Sequence, residues 1–241
     1  MVDASVVFVA DMDGTLTPAR LPMTKEFSEF FESFVERNIF YIVTGSDLKK
    51  VQEQVPEKIL NKMTGVYCSL GNEFYQNGRL VYKKEFSPSD DLIDRLNQYR
   101  LNTQYPGVLY QNYIECRIGM VNFSPIGRDC PQSARDDYKR WDDVHHERAK
   151  IAQELSETYP QYDISLGGNI SIDIVPHGFG KEQVATQIRG KYPNKKIVFI
   201  GDRTEKGGND YPIARAVLAL GNGVVVPVGS DLDTLKFLKE L

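Results

Sequence analysis

The chain opens on a short β-branched and aromatic run, Val6-Val7-Phe8-Val9-Ala10, that has no polar residue until Asp11. A run of that length and composition predicts a strand buried on both faces. Thr24 to Arg37 has a different period: Phe27, Phe30, Phe31, Phe34 and Val35 fall at i, i+3, i+4, i+7 and i+8. That spacing predicts an amphipathic helix with one aromatic face, which is core packing. Ile39–Val43 is a second apolar run ending in Thr44-Gly45-Ser46-Asp47, with a helix to follow, and Val66–Leu70 is a third. Tyr75–Tyr82, folded about Asn77-Gly78, predicts a hairpin. Strand–helix–strand alternation predicts a parallel sheet with right-handed crossovers.

From about residue 85 to 180 the pattern changes. A helix near Ser89–Asn102 precedes two short strands, Tyr113–Arg117 and Gly119–Phe123. A long charged helix is predicted over Ala134–Thr158, then strands at Tyr162–Leu166 and Ser171–Val175. Strands grouped with helices, without βαβ alternation, predict an α+β unit inserted into the first domain. The parallel pattern resumes with a helix from about Lys181 and the strand Ile197–Ile200, which ends at Gly201-Asp202. Short apolar segments at Ala216–Leu220 and Val224–Val226 and a helix from Asp231 complete the chain.

Composition narrows the picture only modestly. The 241 residues carry a net charge of −4, which argues against a nucleic-acid or membrane-surface partner. No apolar run is long enough to span a bilayer and no signal peptide is evident. Three widely spaced cysteines, Cys68, Cys116 and Cys130, suggest reduced thiols and a cytoplasmic protein.

The candidate chemistry sits at the ends of the predicted strands. Asp11 and Asp13 of Asp11-Met12-Asp13-Gly14-Thr15 follow the first strand two residues apart, so extended geometry lets both face one site. Two carboxylates there repel, and a hard cation such as Mg²⁺ relieves the repulsion. One acid can then attack phosphorus while the other moves the proton. A strand followed by an Asp-Gly turn is the plainer alternative. Ser46, past the second strand, offers a hydroxyl near a helix start as a phosphate seat, and Ser46 or Asp47 could equally cap that helix. Lys181 starts a helix, where its charge can screen a phosphoryl group. Asp202 follows another strand, with Asn209 and Asp210 in the Gly-rich turn beyond it.

These pieces resemble the signatures of the haloacid dehalogenase superfamily. The resemblance assigns Asp11 as the nucleophile that becomes an aspartyl-phosphate and Asp13 as general acid/base. Thr44 or Ser46 is then the second signature and Lys181 the third. Asp202 would complete a Mg²⁺ site with Asp11 and Asp13, supported by Asn209 and Asp210. The implied fold is α/β: a Rossmannoid core with a parallel sheet over residues 1–84 and 181–241, and an inserted α+β cap over 85–180.

In the inserted segment, Arg117, Arg128 and Arg135 could form a second anion site, because guanidinium forks match phosphate oxygens. Ser171 and Asp173 share a strand face and could bind sugar hydroxyls, although a solvated polar face would look similar. DxDGTLTPAR at Asp11–Arg20, NxSPIGR at Asn122–Arg128, GGxIS-x-D at Gly167–Asp173 and GD-x-T-x-x-GGND at Gly201–Asp210 together resemble eukaryotic-type phosphomannomutases. That resemblance implies hexose phosphate substrates contacted by Arg20, Arg117, Asn122, Arg128, Arg135, Ser171 and Asp173. It also implies a hexose 1,6-bisphosphate activator, cap closure against water, and a homodimer formed through the cap. One departure is visible: Tyr211-Pro212-Ile213-Ala214-Arg215 stands where the family places a second metal-binding loop. A sugar-phosphate phosphatase on the same scaffold, or a non-catalytic sugar-phosphate binder, are the alternative readings. Asp11→Asn is expected to abolish hexose phosphate turnover while leaving the circular dichroism spectrum unchanged; undiminished turnover would remove Asp11 as nucleophile.

Overall fold

The computed structural model describes residues 5–241. In chain order the elements are β1 (Val6–Ala10), α1 (Lys25–Arg37), β2 (Ile39–Val43), α2 (Leu48–Gln54), α3 (Glu57–Leu60), β3 (Gly65–Cys68), β4 (Glu73–Gln76) and β5 (Arg79–Lys83). They continue with α4 (Asp90–Leu101), β6 (Ile114–Arg117), β7 (Met120–Phe123), α5 (Gln132–His145), α6 (Glu147–Thr158), β8 (Tyr162–Gly167) and β9 (Ser171–Pro176). The last are α7 (Glu182–Lys191), β10 (Lys196–Gly201), α8 (Tyr211–Ala219), β11 (Gly223–Pro227) and α9 (Asp231–Lys239). The chain divides into two compact units, Met1–Lys84 with Gly178–Leu241, and Glu85–His177.

The first unit holds a seven-stranded sheet in the order β11-β10-β1-β2-β3-β4-β5. Its β11, β10, β1, β2 and β3 run parallel, and the hairpin β4-β5 adds antiparallel strands at one edge. The central strands are buried on both faces, which is why they read as continuous apolar runs. One face packs on the aromatic stripe of α1. Phe31 meets Phe40 edge-on at 4.9 Å between ring centres, and Phe8 meets Phe34 at 5.4 Å. The opposite face carries Val184 and Ile188 of α7 and Ile213 and Val217 of α8. β1 lies between β10 and β2, so three adjacent parallel strands end side by side. The residues that follow them are Asp11, Asp202 and Thr44.

The second unit is a four-stranded antiparallel sheet in the order β6-β7-β9-β8. Val121, Phe123, Ile172 and Ile174 point to one face and pack against Leu92 and Leu96 of α4 and Ile151 and Leu155 of α6. Asn122 and Asp173, directly paired across β7 and β9, therefore belong to the other face.

Three local features depart from the sequence expectation. The charged stretch at Ala134–Thr158 is two helices, broken at His146, which adopts a left-handed conformation (φ +56). A buried ion pair fixes the break: the Arg148 backbone N–H and Nε both donate to Asp142, at 2.9 and 2.8 Å. The strand expected over Val66–Leu70 ends at Cys68 and turns through Ser69–Gly71, with Ser69 and Leu70 at positive φ. Ala216–Leu220 closes a helix and is not a separate apolar segment.

Candidate active site

The loop after β1 winds around one carbonyl. Met12 O accepts the backbone N–H groups of Thr15, Leu16 and Thr17 at 3.2, 2.9 and 3.0 Å. Gly14 reaches φ +80 in this turn, and a side chain there would stand 2.6 Å from Asp202 Oδ2. Gly14 is thus required twice, for its backbone conformation and for the approach of the Asp202 carboxylate. The turn leaves Asp11 buried and Asp13 half-buried. Asp13 Oδ1 accepts the Arg20 backbone N–H at 2.7 Å, and the Arg20 side chain is exposed.

Lys181 is wholly buried at the start of α7. Its ammonium donates to Asp11 Oδ1 at 2.6 Å and to Asp210 Oδ1 at 2.7 Å. Asp210, in the turn after β10, is itself fully buried. A Cβ on Gly201 would sit 2.7 Å from Asp210 Oδ2, so a glycine ending β10 makes room for that carboxylate. Asn209 beside it is exposed. Burial pushes the Asp11 carboxyl up to about 7 against the pull of Lys181, and Asp210 adds to the rise. Burial lowers the Lys181 ammonium, but the two carboxylates outweigh it and hold its pKa above the ordinary lysine value. Burial also raises Asp202, helped by the nearby Asp210 charge.

Asp11, Asp202 and Asp210 bring one oxygen each to within 4.8 Å of one another. Asp202 Oδ1 is buried and has no hydrogen-bond partner among the described residues. Three carboxylates against one ammonium leave a net double negative charge, and the donors are all hard oxygens. That set fits a divalent cation such as Mg²⁺. The residues drawn together are Asp11, Asp202 and Asp210, whereas the sequence pointed to Asp11, Asp13 and Asp202. Asp210, expected from the sequence to hold the loop or join the outer shell of a metal site, is a direct partner of Lys181.

Thr44 is buried at the end of β2, and its hydroxyl accepts the Ser46 backbone N–H at 3.1 Å. Asp47, and not Ser46, caps α2. A network that sequence alone did not reveal braces this loop and Lys181 together. Leu70 N–H donates to Thr44 O and Ser69 N–H to Ser46 O, both at 2.9 Å. Gln183, on the first turn of α7, donates to Leu70 O and to Asn72 Oδ1 at 3.0 and 3.1 Å. Asn72 in turn donates to Phe179 O at 2.8 Å. Gln183 and Phe179 lie over a hundred residues from Leu70 and Asn72, so no local pattern announces these contacts.

The second unit carries its own polar cluster on the face opposite its apolar core. Arg128 Nη1 donates to Ser171 Oγ at 2.9 Å and also to Asn122 Oδ1. Asn122 Nδ2 donates to Asp173 Oδ1. Arg117 Nη2 and Arg128 Nε both approach Glu115 Oε2, at 2.7 and 2.6 Å. Arg135 donates to the Arg128 and Cys130 carbonyls, so it braces the loop that carries Arg128. The buried Arg148 holds the neighbouring strand through Ser171 O, at 3.2 Å. Glu115 was not singled out from sequence, although its place two residues before Arg117 on a strand puts it on the same face.

A family model for eukaryotic phosphomannomutase matches residues 27–241, a span that begins after the Asp11–Thr15 motif. A phosphomannomutase of Triticum aestivum is 35% identical over 233 residues, covering 93% of this chain and 92% of its own length. One from Drosophila melanogaster is 35% identical over 246 aligned positions, covering 98% and 95%. Among solved structures, a haloacid dehalogenase-like hydrolase from Bacteroides thetaiotaomicron superposes with a TM-score of 0.65 at 11% identity over 99% of both chains. An IMP-nucleotidase of Plasmodium falciparum gives 0.62 at 17% identity, covering 98% of this chain and 68% of its own. These structural likenesses speak to the fold.

Lys181→Met leaves two buried carboxylates without their counter-ion, and is expected to cost about 3–5 kcal/mol in urea unfolding with EDTA present. Adding Asp210→Asn should recover part of that loss; equal stability of the single variant and the parent would contradict the ion triad.

Proposed function

The chain belongs to the eukaryotic phosphomannomutase family, and from that premise we propose that it interconverts mannose 6-phosphate and mannose 1-phosphate through a phosphoryl group carried on Asp11. The observation that supports this most is Lys181, buried between Asp11 and Asp210 at 2.6 and 2.7 Å with the orphaned Asp202 oxygen beside them. Asp11 Oδ1 is held by the ammonium, which leaves the second carboxylate oxygen to form the bond to phosphorus. The sugar oxygen that departs takes a proton from Asp13. In the return step Asp13 removes the proton from the accepting hydroxyl, and that oxygen attacks the acyl phosphate to regenerate Asp11. Lys181 stays charged throughout and neutralises the spreading negative charge. Asp11, Asp202 and Asp210 would hold Mg²⁺, whose contribution when bound is charge neutralisation on the transferring oxygens.

A mutase needs a second anion site for the phosphate that is not reacting. Arg117 and Arg128 supply the guanidinium groups for it, Asn122 and Ser171 hold Arg128 in place, and Ser171 and Asp173 offer hydrogen bonds to sugar hydroxyls. A hexose 1,6-bisphosphate is the proposed activator, because it phosphorylates Asp11 and yields a monophosphate product. The family resemblance also carries a homodimer formed through the second unit, where Leu101, Val108 and Val144 are exposed at 76, 67 and 73%. A cytoplasmic setting accords with three free cysteines, and no helix among the described residues is long and apolar enough to cross a membrane.

Phosphorus-31 NMR of mannose 1-phosphate with Mg²⁺ is expected to show mannose 6-phosphate appearing only when catalytic glucose 1,6-bisphosphate is added. Inorganic phosphate released at equal rates with and without it would make the protein a phosphatase. Because the metal-free Asp11 carboxyl is held up to about 7, cation binding must release its proton. Mg²⁺ affinity should therefore rise from pH 6 and level off above pH 8, with calorimetric heats that depend on the buffer's ionisation enthalpy.

A further inference from the structure

Glu115 is an acid placed inside a cluster of arginines. Its Oε2 takes two charge-assisted contacts at once, from Arg117 Nη2 at 2.7 Å and Arg128 Nε at 2.6 Å. Arg128 Nη1 is already committed to Asn122 and Ser171. The Nε edge of Arg128 is one that a phosphate oxygen can take, and a carboxylate of this chain holds it. Carboxylate and phosphate oxygens offer a guanidinium fork the same acceptor geometry.

We propose that Glu115 is a resident competitor for the anion site, displaced when a sugar phosphate binds and returning when it leaves. This rests on the reading of Arg117 and Arg128 as the seat of the non-reacting phosphate. Three features of Glu115 suit the role. Its side chain is 35% exposed, so it has solvent to swing into. Burial favours its neutral form, but Arg117 and Arg128 outweigh that and hold its carboxyl below the usual range, so it remains an anion at neutral pH. Ion pairs at this exposure are weak, so a dianionic phosphate can displace it. A reaction that must release one end of a bisphosphate and capture the other gains from an anion site that empties readily. An arginine pair without an internal anion would retain the phosphate.

The alternative role, orienting the two guanidinium groups for phosphate, gives the opposite sign on mutation. The experiment is calorimetric titration of inorganic phosphate into the full chain in EDTA, where the uncompensated carboxylates around Asp11 repel the anion. Glu115→Gln keeps an acceptor for the arginines but removes the charge, and Glu115→Ala removes both. Competition is expected to tighten phosphate about three- to tenfold in both variants. It should also lower KM and kcat of the mutase together as release slows. Weaker or unchanged phosphate binding in both variants, with binding still lost in Arg128→Gln, would overturn the competitor role alone. Phosphate binding indifferent to Arg128→Gln would overturn the arginine seat, and the proposal with it.

Discussion

The pairing of the Lys181 ammonium with Asp11 and Asp210 is the interaction on which the first unit's candidate site depends. Burying the ammonium alone would be prohibitive, and burying Asp11 and Asp210 side by side would be as costly. Together they are tolerable, because each carboxylate has a short charge-assisted hydrogen bond and the ammonium has two. That arrangement dictates the local sequence. Two glycines, Gly14 and Gly201, stand where a Cβ would strike the Asp202 and Asp210 carboxylates. The three strands that end at the site are buried on both faces, so the carboxylates stand on backbone that has little freedom to move. The remaining excess of negative charge, voiced by the orphaned Asp202 oxygen, is what a divalent cation would satisfy.

The second unit solves a different problem with the same economy of pattern. Strand alternation sends Val121, Phe123, Ile172 and Ile174 into its core and leaves Glu115, Arg117, Asn122, Ser171 and Asp173 on the opposite side. One register thus specifies both the packing and the polar face. A one-residue slip of β7 against β9 would exchange them. Arg135 and Arg148 contribute from helices by binding carbonyls, so that the Arg128 loop and the Ser171 strand keep their places.

Much of this was legible in the sequence because the signals are local. An apolar run that ends in an acid announces a strand delivering a carboxylate, and the phenylalanine stripe of α1 announces a core face. Asn77-Gly78 announces its hairpin, with both residues at positive φ. What escaped is governed by partners distant in sequence. Nothing in the charged stretch around His146 breaks helical periodicity; the break is stabilised by Asp142 reaching forward to Arg148. In sequence Asp210 is an ordinary polar residue of a Gly-rich turn, because its burial and its pairing with Lys181, 29 residues earlier, are tertiary facts. Asn72 and Gln183, 111 residues apart, carry no motif, yet they join the Thr44 loop to the start of α7.

The same Asn72 stands where the chain leaves the first unit and where it returns. Its carbonyl accepts the Lys84 N–H at 2.8 Å, and the Lys84 ammonium donates to Gly178 O at 3.1 Å. The residues on either side of the ninety-odd intervening positions are thus hydrogen-bonded neighbours within the first unit. In terms of chain architecture, everything from Glu85 to His177 occupies the place of a hairpin loop. A few flexible residues could span the gap without disturbing a strand. The fold therefore behaves as a host with a graft, in which the segment from Glu85 to His177 can change in length and sequence without interrupting any strand of the host sheet.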